Sequence, residues 1–544
     1  MPSTTNSNNP LSYELSDNDI EFLLKQAQAG VVATEDLADV SDASGVRTLD
    51  GFGNNVENPL WGNADQTFKR LSDTHFDNGV DTPREGPVPR DISNLILNQN
   101  KDGETNNFGP NAGDDDLNLE NNFRANEFVW AFGQYFDHGL DFIPKGGENG
   151  DGTEAGTMFL GNFETQNGDI PLTLTRATPA DGTGINGVPR EYINQTSPFI
   201  DQNQAYGSND KILEFLLERD DNGQFTGRLL SGANTDIPTL GEAKANWQKG
   251  VDNGLAEAID FDDPDALSNF RGSGDALLLD INPGIPLDLH LVAGDGRVNE
   301  NAGLSVVHTI WHNNHNFWVE KLAKHYDENG GGENVTNEHL YQMAKIINEA
   351  EYQRAVADEF IELLVGSDVH AFLDYNPEIN ADITLEFSQA AYRLGHSMLN
   401  NHITVRTDAD GTTEDVPLFD LFLNPIQFTQ LGADNIASGM FTSLQQEIDA
   451  QIVTTVRDNL LGRPLDLGSL NIGRGRDTGL PTLNDMRESV GLSKYSDWDS
   501  FANNLRDPSQ IDDFKAAYNS IDEVDLWVGN NDGGVFVYLK IEFW

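Results

Sequence analysis

The segment Trp130-Ala-Phe-Gly-Gln-Tyr-Phe-Asp-His-Gly-Leu-Asp-Phe142 constrains this chain more than any other stretch. Its spacing predicts an amphipathic helix that aims Gln134, Asp137, His138 and Asp141 into a common interior. Gln134 and His138 fall one turn apart on one face, roughly 6 Å along the axis. Asp137 adjoins that face, and Asp141 lies one turn further on. An amide, an imidazole and two carboxylates among Trp130, Phe132, Phe136, Leu140 and Phe142 are costly to bury unless they share a ligand or a polar network. A solvated polar face with a chance histidine is the plain alternative, and spacing alone does not separate the two.

Bulk properties narrow the partners. With 544 residues, 29 Phe and 8 Trp, the chain can build a sizeable core. A net charge of −56 opposes binding to nucleic acid or an anionic membrane. The absence of cysteine excludes disulfides, zinc–thiolate sites, iron–sulfur clusters and thiol nucleophiles. No apolar run approaches the ~20 residues of a membrane span. The N-terminus lacks the basic start and apolar core of a Sec signal. Acidity with Gly, Asp and Asn richness fits an extracellular protein exported without such a signal; an acidic cytoplasmic protein is the alternative.

Residues 1–45 read as a polar, acidic extension with one amphipathic piece at Ile20–Ala29. Residues 46–118 read as irregular structure that wraps a core. Helical periodicity marks Leu304–Tyr326, His339–Val365, Leu385–Leu399 and Ser443–Asn459. The clearest strand signal is Gly534–Phe543, and no repeat of 20 to 50 residues is present.

Several groups carry possible chemistry. His308, His312 and His315 share one helix face and match a zinc or di-metal spacing, but Thr309 stands where a zinc protease needs Glu. A structural role is the alternative. The turn Gly294-Asp-Gly-Arg-Val-Asn-Glu300 is either a helix entry, with Asn299 or Asp295 as cap, or a mount for a fixed cation. In Tyr392-Arg-Leu-Gly-His396, Gly395 leaves space for a flat group beside the imidazole, although a lone core histidine is usually structural. Leu470-Asn-Ile-Gly-Arg-Gly-Arg-Asp-Thr-Gly-Leu-Pro481 reads as a Gly-rich loop presenting two arginines to a carboxylate or phosphate. Glu218-Arg-Asp-Asp-Asn-Gly223 opens like an EF-hand, but position 12 is Leu229 and the motif fails.

In this order, these pieces resemble the animal haem peroxidase family, the peroxidase–cyclooxygenase superfamily, in a bacterial-type form. The resemblance runs from about Arg47 to Trp527 and includes Arg47-Thr-Leu-Asp-Gly-Phe-Gly-Asn-Asn55 and Asp201–Ser208. It implies a mainly α fold: one large domain over 46–530 with helices around a buried haem, long wrapping segments and few short strands. Residues 531–544 form a tail and a candidate truncation point.

Roles follow position by position from the resemblance. His138 corresponds to the distal histidine, Gln134 to the distal amide and Arg297 to the distal arginine. His396 corresponds to the proximal ligand of the haem iron, and Asn471 to the amide accepting its other ring N–H. Asp137 and Glu300 match carboxylates that esterify a haem b-derived group, while Asp141, Arg393 and Arg474 match residues holding its propionates. Calcium is implied at Ser197, the Phe199 carbonyl, Asp201 and Asn203, although Gly139 replaces the family's frequent aspartate. Asn301 replaces a methionine that one branch links to haem.

The implied activity uses hydrogen peroxide to oxidise iodide, bromide, thiocyanate or phenolic donors, with chloride least favoured, and relates to oxidative stress. Three alternatives remain at this stage. A fatty-acid dioxygenase needs a radical Tyr three residues before His396, where Arg393 stands. An adhesion or matrix module would keep the fold without the chemistry, and a His308/His312/His315 metalloenzyme would be a different class.

Overall fold

Backbone hydrogen bonding, more than apolar spacing, decides where the predicted helices stop. The computed structural model describes residues 47–99, 109, 113, 116–117, 121, 124–148, 152–164, 168–261, 280–328, 335–365 and 376–531. The expected elements at Ile20–Ala29 and Gly534–Phe543 lie outside the described residues. Among those described, the fold is mainly α. Its sheets are four antiparallel pairs: Gln66–Thr67 with Ile193–Asn194, Thr157–Phe163 with Ile170–Thr175, Leu217–Arg219 with Phe225–Leu229, and His402–Arg406 with Thr413–Pro417. The rejected EF-hand motif forms the hairpin of the third pair.

Helix α1, Glu127–His138, is the predicted amphipathic element, but it ends four residues early. At its end the Leu140 and Asp141 N–H groups both turn back to the Asp137 carbonyl. The tight turn keeps Asp141 beside Asp137 without continuing the helix. α2, Ala302–Glu328, packs against α1, and Asn301 is its cap: the Asn301 amide oxygen accepts from Leu304 N at 2.9 Å. The cap is therefore neither Asn299 nor Asp295. A Cβ at Gly303 would come within 2.6 Å of the Trp130 ring, so glycine allows the two helices to approach.

α3, Asn337–Ala355, continues through a π-helical turn at Val356–Phe360 into Ile361–Val365, covering the predicted segment. The predicted helix over Leu385–Leu399 is broken. A short α-helix, Leu385–Gln389, gives way at Ala390 to a 3₁₀ stretch over Ala391–Ser397. In 3₁₀ geometry, residues three apart eclipse each other, which stacks Arg393 with His396.

Most of the predicted Ser443–Asn459 helix is absent, leaving only Thr454–Asp458. Its backbone bonds instead to neighbouring chain: Gln445 N to Ala125 O, Gln446 N to Met398 O and Ile452 N to Leu97 O. Conversely, the expected arginine loop is helix α4, Leu467–Asp477, capped by the Asp466 carboxylate. Aromatic rings of α1 join α2, α3 and the 391–397 segment in one core that includes Trp130, Tyr135, Phe136, Tyr352, Phe360 and Tyr392.

Candidate active site

The 294–300 turn carries its cation against the end of α1. Asp295 accepts from Arg297 N at 2.8 Å, from Arg297 Nε at 3.1 Å and, through its other oxygen, from Nη2 at 2.7 Å. Arg297 Nη2 also donates to the His138 carbonyl at 3.0 Å, tying the turn to α1. The His138 ring stands 3.6 Å from Asp295 Oδ1 through Nδ1 and 3.8 Å from Glu300 Oε2 through Nε2. Gln134 Nε2 donates to Glu300 Oε2 at 2.6 Å, and Asn301 Nδ2 donates to the Gln134 oxygen at 2.8 Å.

Electrostatics follow from burial. Burial and the Arg297 charge push the His138 imidazole well below its ordinary value, leaving it neutral. Burial by itself would raise Asp295, but the charge and hydrogen bonds of Arg297 hold it low. Burial lowers Arg297, and Asp295 more than reverses this. Asp137 is pushed up to about 8 by burial and by Asp141, and burial raises Glu300 well above the ordinary carboxylate range.

The second group lies on the 3₁₀ stretch and α4. Asn471 Nδ2 contacts His396 Nδ1 at 2.7 Å, while Asn471 Oδ1 accepts from Arg393 Nη1 at 3.1 Å. The two side chains meet, but not in the expected direction: the amide nitrogen faces the ring, and the oxygen expected to accept the ring N–H accepts from Arg393 instead. Burial lowers His396 to about 3, so its ring is a neutral ligand-type imidazole. Arg474 is held by Asp477 and the Thr175 carbonyl, and its charge is disfavoured by burial and by Arg393. Two guanidinium groups that repel each other suit an added carboxylate. Arg297 and Arg393 both act on the buried carboxyls of Asp137 and Asp141, so the two groups flank the same pair of carboxyls.

These residues fit a haem. Asp137 Oδ1, His138 Nδ1 and Asp141 Oδ2 are buried without a hydrogen-bond partner, a costly set unless something else meets them. Beside His396, a Cβ at Gly395 would meet only Met398 Sδ at 4.0 Å, so this flank is open. Tyr392 points elsewhere, its hydroxyl donating to the Gly133 carbonyl at 3.2 Å.

Calcium does not fit in the same way. Asn203 presents an amide nitrogen to the Ser197 and Gly139 carbonyls, and Asp201 is occupied by Arg47, Asn54 and Gln353. The histidine trio also forms no metal site. His308 packs edge-on to Tyr135, His315 bonds to Tyr206 and the Gly227 carbonyl, and no metal-holding group of three His, Cys, Asp or Glu occurs among the described residues.

Asp295, which the sequence presents only as a candidate helix cap, is a functional partner of Arg297. Its signal was present: an aspartate two residues before Arg297 in a Gly-rich turn can accept the i+2 N–H and still reach the side chain.

The family model for animal haem peroxidases matches residues 46–531. Peroxinectin A of Dictyostelium discoideum is 25% identical over 91% of this chain and 84% of its own length. Thyroid peroxidase of Rattus norvegicus is 24% identical over 90% of this chain and 53% of its own length. The peroxidasin homolog of Homo sapiens is 25% identical over 88% of this chain, which spans 32% of that protein. Among solved structures, peroxidase A of Dictyostelium discoideum superposes with a TM-score of 0.71 at 22% identity, covering 91% of this chain and 89% of that one. The Oryza sativa fatty acid alpha-dioxygenase shares the fold, with a TM-score of 0.61 at 17% identity over 89% of this chain and 74% of its own. The chain belongs to the animal haem peroxidase family and is a haem peroxidase. No helix among the described residues is long and apolar enough to cross a membrane.

Proposed function

We propose that this chain uses hydrogen peroxide to oxidise small anions, namely iodide, bromide and thiocyanate, together with phenolic donors. The observation that carries this reading is the convergence of a neutral His138 and a charged Arg297 beside Asp295, which bonds to Arg297 and lies 3.6 Å from the His138 ring. A neutral imidazole beside a fixed cation suits peroxide cleavage. His138 Nε2 accepts a proton from the peroxide and returns it to the departing oxygen, general acid–base work of roughly 10²–10⁴-fold. Arg297 stabilises the negative charge on that oxygen. Gln134, fixed by Glu300 and Asn301, orients a water or anion beside them.

In this reading His396, backed by Asn471, would hold haem, and Arg393, Arg474 and Asp141 would hold its propionates. Haem supplies the iron and the redox equivalents. Asp137 and Glu300 would form ester links to haem methyl groups, each replacing a methyl C–H bond in a two-electron oxidation with hydrogen peroxide as the oxidant; burial favours the neutral acid in both. The catalytic domain spans 46–530, and the protein works outside the cell. An absorption spectrum with iron content, followed by peroxide-dependent oxidation of each anion and a phenol, tests the proposal. Haem-loaded protein that oxidises none of them overturns it.

A further inference from the structure

The loop at 197–203 departs from the calcium site that the family resemblance implies, and its internal chemistry shows what replaces the cation. Asn203 Nδ2 donates to the Ser197 carbonyl at 2.8 Å and to the Gly139 carbonyl at 3.0 Å. An amide nitrogen with two N–H groups thus stands between two carbonyls that a cation would otherwise draw together. The Phe199 carbonyl accepts from Asp201 N at 2.8 Å, and Ser197 Oγ donates to the Gly62 carbonyl at 2.8 Å. Every expected donor already has a partner within the protein.

Charge points the same way. Asp201 is the only carboxylate of the set. Its Oδ2 accepts from Arg47 Nε at 2.6 Å and from Asn54 Nδ2 at 3.3 Å, while Oδ1 accepts from Gln353 Nε2 at 3.3 Å. The Arg47 guanidinium also covers the Phe199 ring at 4.5 Å. Calcium takes 6–8 oxygen ligands and gains affinity with their negative charge; here the single carboxylate is already paired.

Position 139 cannot supply another without rearrangement. A Cβ at Gly139 would lie 2.2 Å from Gln204 Nε2. That buried amide is held by the Tyr135 carbonyl at 2.6 Å and Tyr352 Oη at 3.1 Å.

We infer that the Asn203 amide and the Arg47 guanidinium close this loop in place of a divalent cation. The end of α1, the 197–203 loop and the 47–54 segment are joined without calcium. The inference does not depend on which donor the enzyme oxidises.

Calcium content and thermal unfolding of the purified holoprotein test it. The expected result is less than stoichiometric calcium and a melting temperature unchanged by excess chelator. One calcium per chain, or a melting temperature that falls on chelation, overturns the inference. Asn203→Asp sharpens the test by setting a carboxylate against two carbonyls. It should lower the melting temperature in chelator by several degrees, and calcium should restore part of that loss. A variant as stable as the parent in chelator overturns the role given to the amide.

Discussion

Asp295 and Arg297 form a closed pair across one residue: a single carboxylate receives the arginine's backbone N–H, Nε and Nη2, and its Oδ1 also lies 3.6 Å from His138 Nδ1. One buried anion therefore fixes Arg297 and faces the His138 ring, the two groups assigned to peroxide cleavage. Asp295→Asn should keep haem but slow reaction with peroxide about 10–100-fold, the usual effect of removing a partner behind a functional group. Stopped-flow mixing of the haem-loaded variant measures this, and an unchanged rate would remove Asp295 from the site.

Asp137 and Glu300 make a separate prediction. After peroxide treatment, acidified organic solvent should leave haem attached to the parent protein. The Asp137→Asn/Glu300→Gln double variant should release it, as read by the absorption of the organic layer. Ready extraction from the parent would disprove the ester links.

His312 should destabilise the protein in acid. Burial, His315 and Arg228 lower its folded value to about 3, against 6.5 in the unfolded chain. The unfolded state therefore binds the proton first. The favourable neutral form is retained above pH ~6.5, and stability falls with acidification by up to about 1.4 kcal/mol per pH unit. His312→Gln lacks that slope. Its melting temperature should lie below the parent's at neutral pH and approach or pass it by about pH 5. A gap that stays constant with pH would contradict the burial argument.

Gly439→Ala should lower stability by about 1–3 kcal/mol through overpacking. The helix Ala433–Met440 lies against the strand His402–Arg406, and a Cβ at 439 would stand 2.1 Å from the Thr404 carbonyl oxygen. The obstacle is backbone and cannot rotate aside. Denaturant unfolding measures the change, and a variant as stable as the parent would show that this contact can relax.

Much of the site was legible because helical periodicity is local. Gln134 and His138 share a face through spacing alone, and the order of motifs from Arg47 to Trp527 carried the family. The breaks were less visible. Nothing around Ala390 announces a change to 3₁₀ geometry, and residues 443–453 look periodic although their backbone groups bond to distant chain. The Gly-rich segment around Asn471 read as a loop because Gly473 and Gly475 weaken helix propensity; the Asp466 cap and tertiary packing outweigh that cost.

By itself, the sequence determined the inventory: no thiol, a net charge of −56, an imidazole–amide face on α1, and Arg297, His396 and Asn471 in family order. Tertiary structure decided how those groups are held. It placed Asp295 beneath both Arg297 and His138, drew Asp201 to Arg47, and set the Asn203 amide between two carbonyls. Such contacts join residues up to 157 positions apart, as between His138 and Asp295. Local spacing constrains direction along one element, whereas partners in a buried polar network are chosen by which elements pack together.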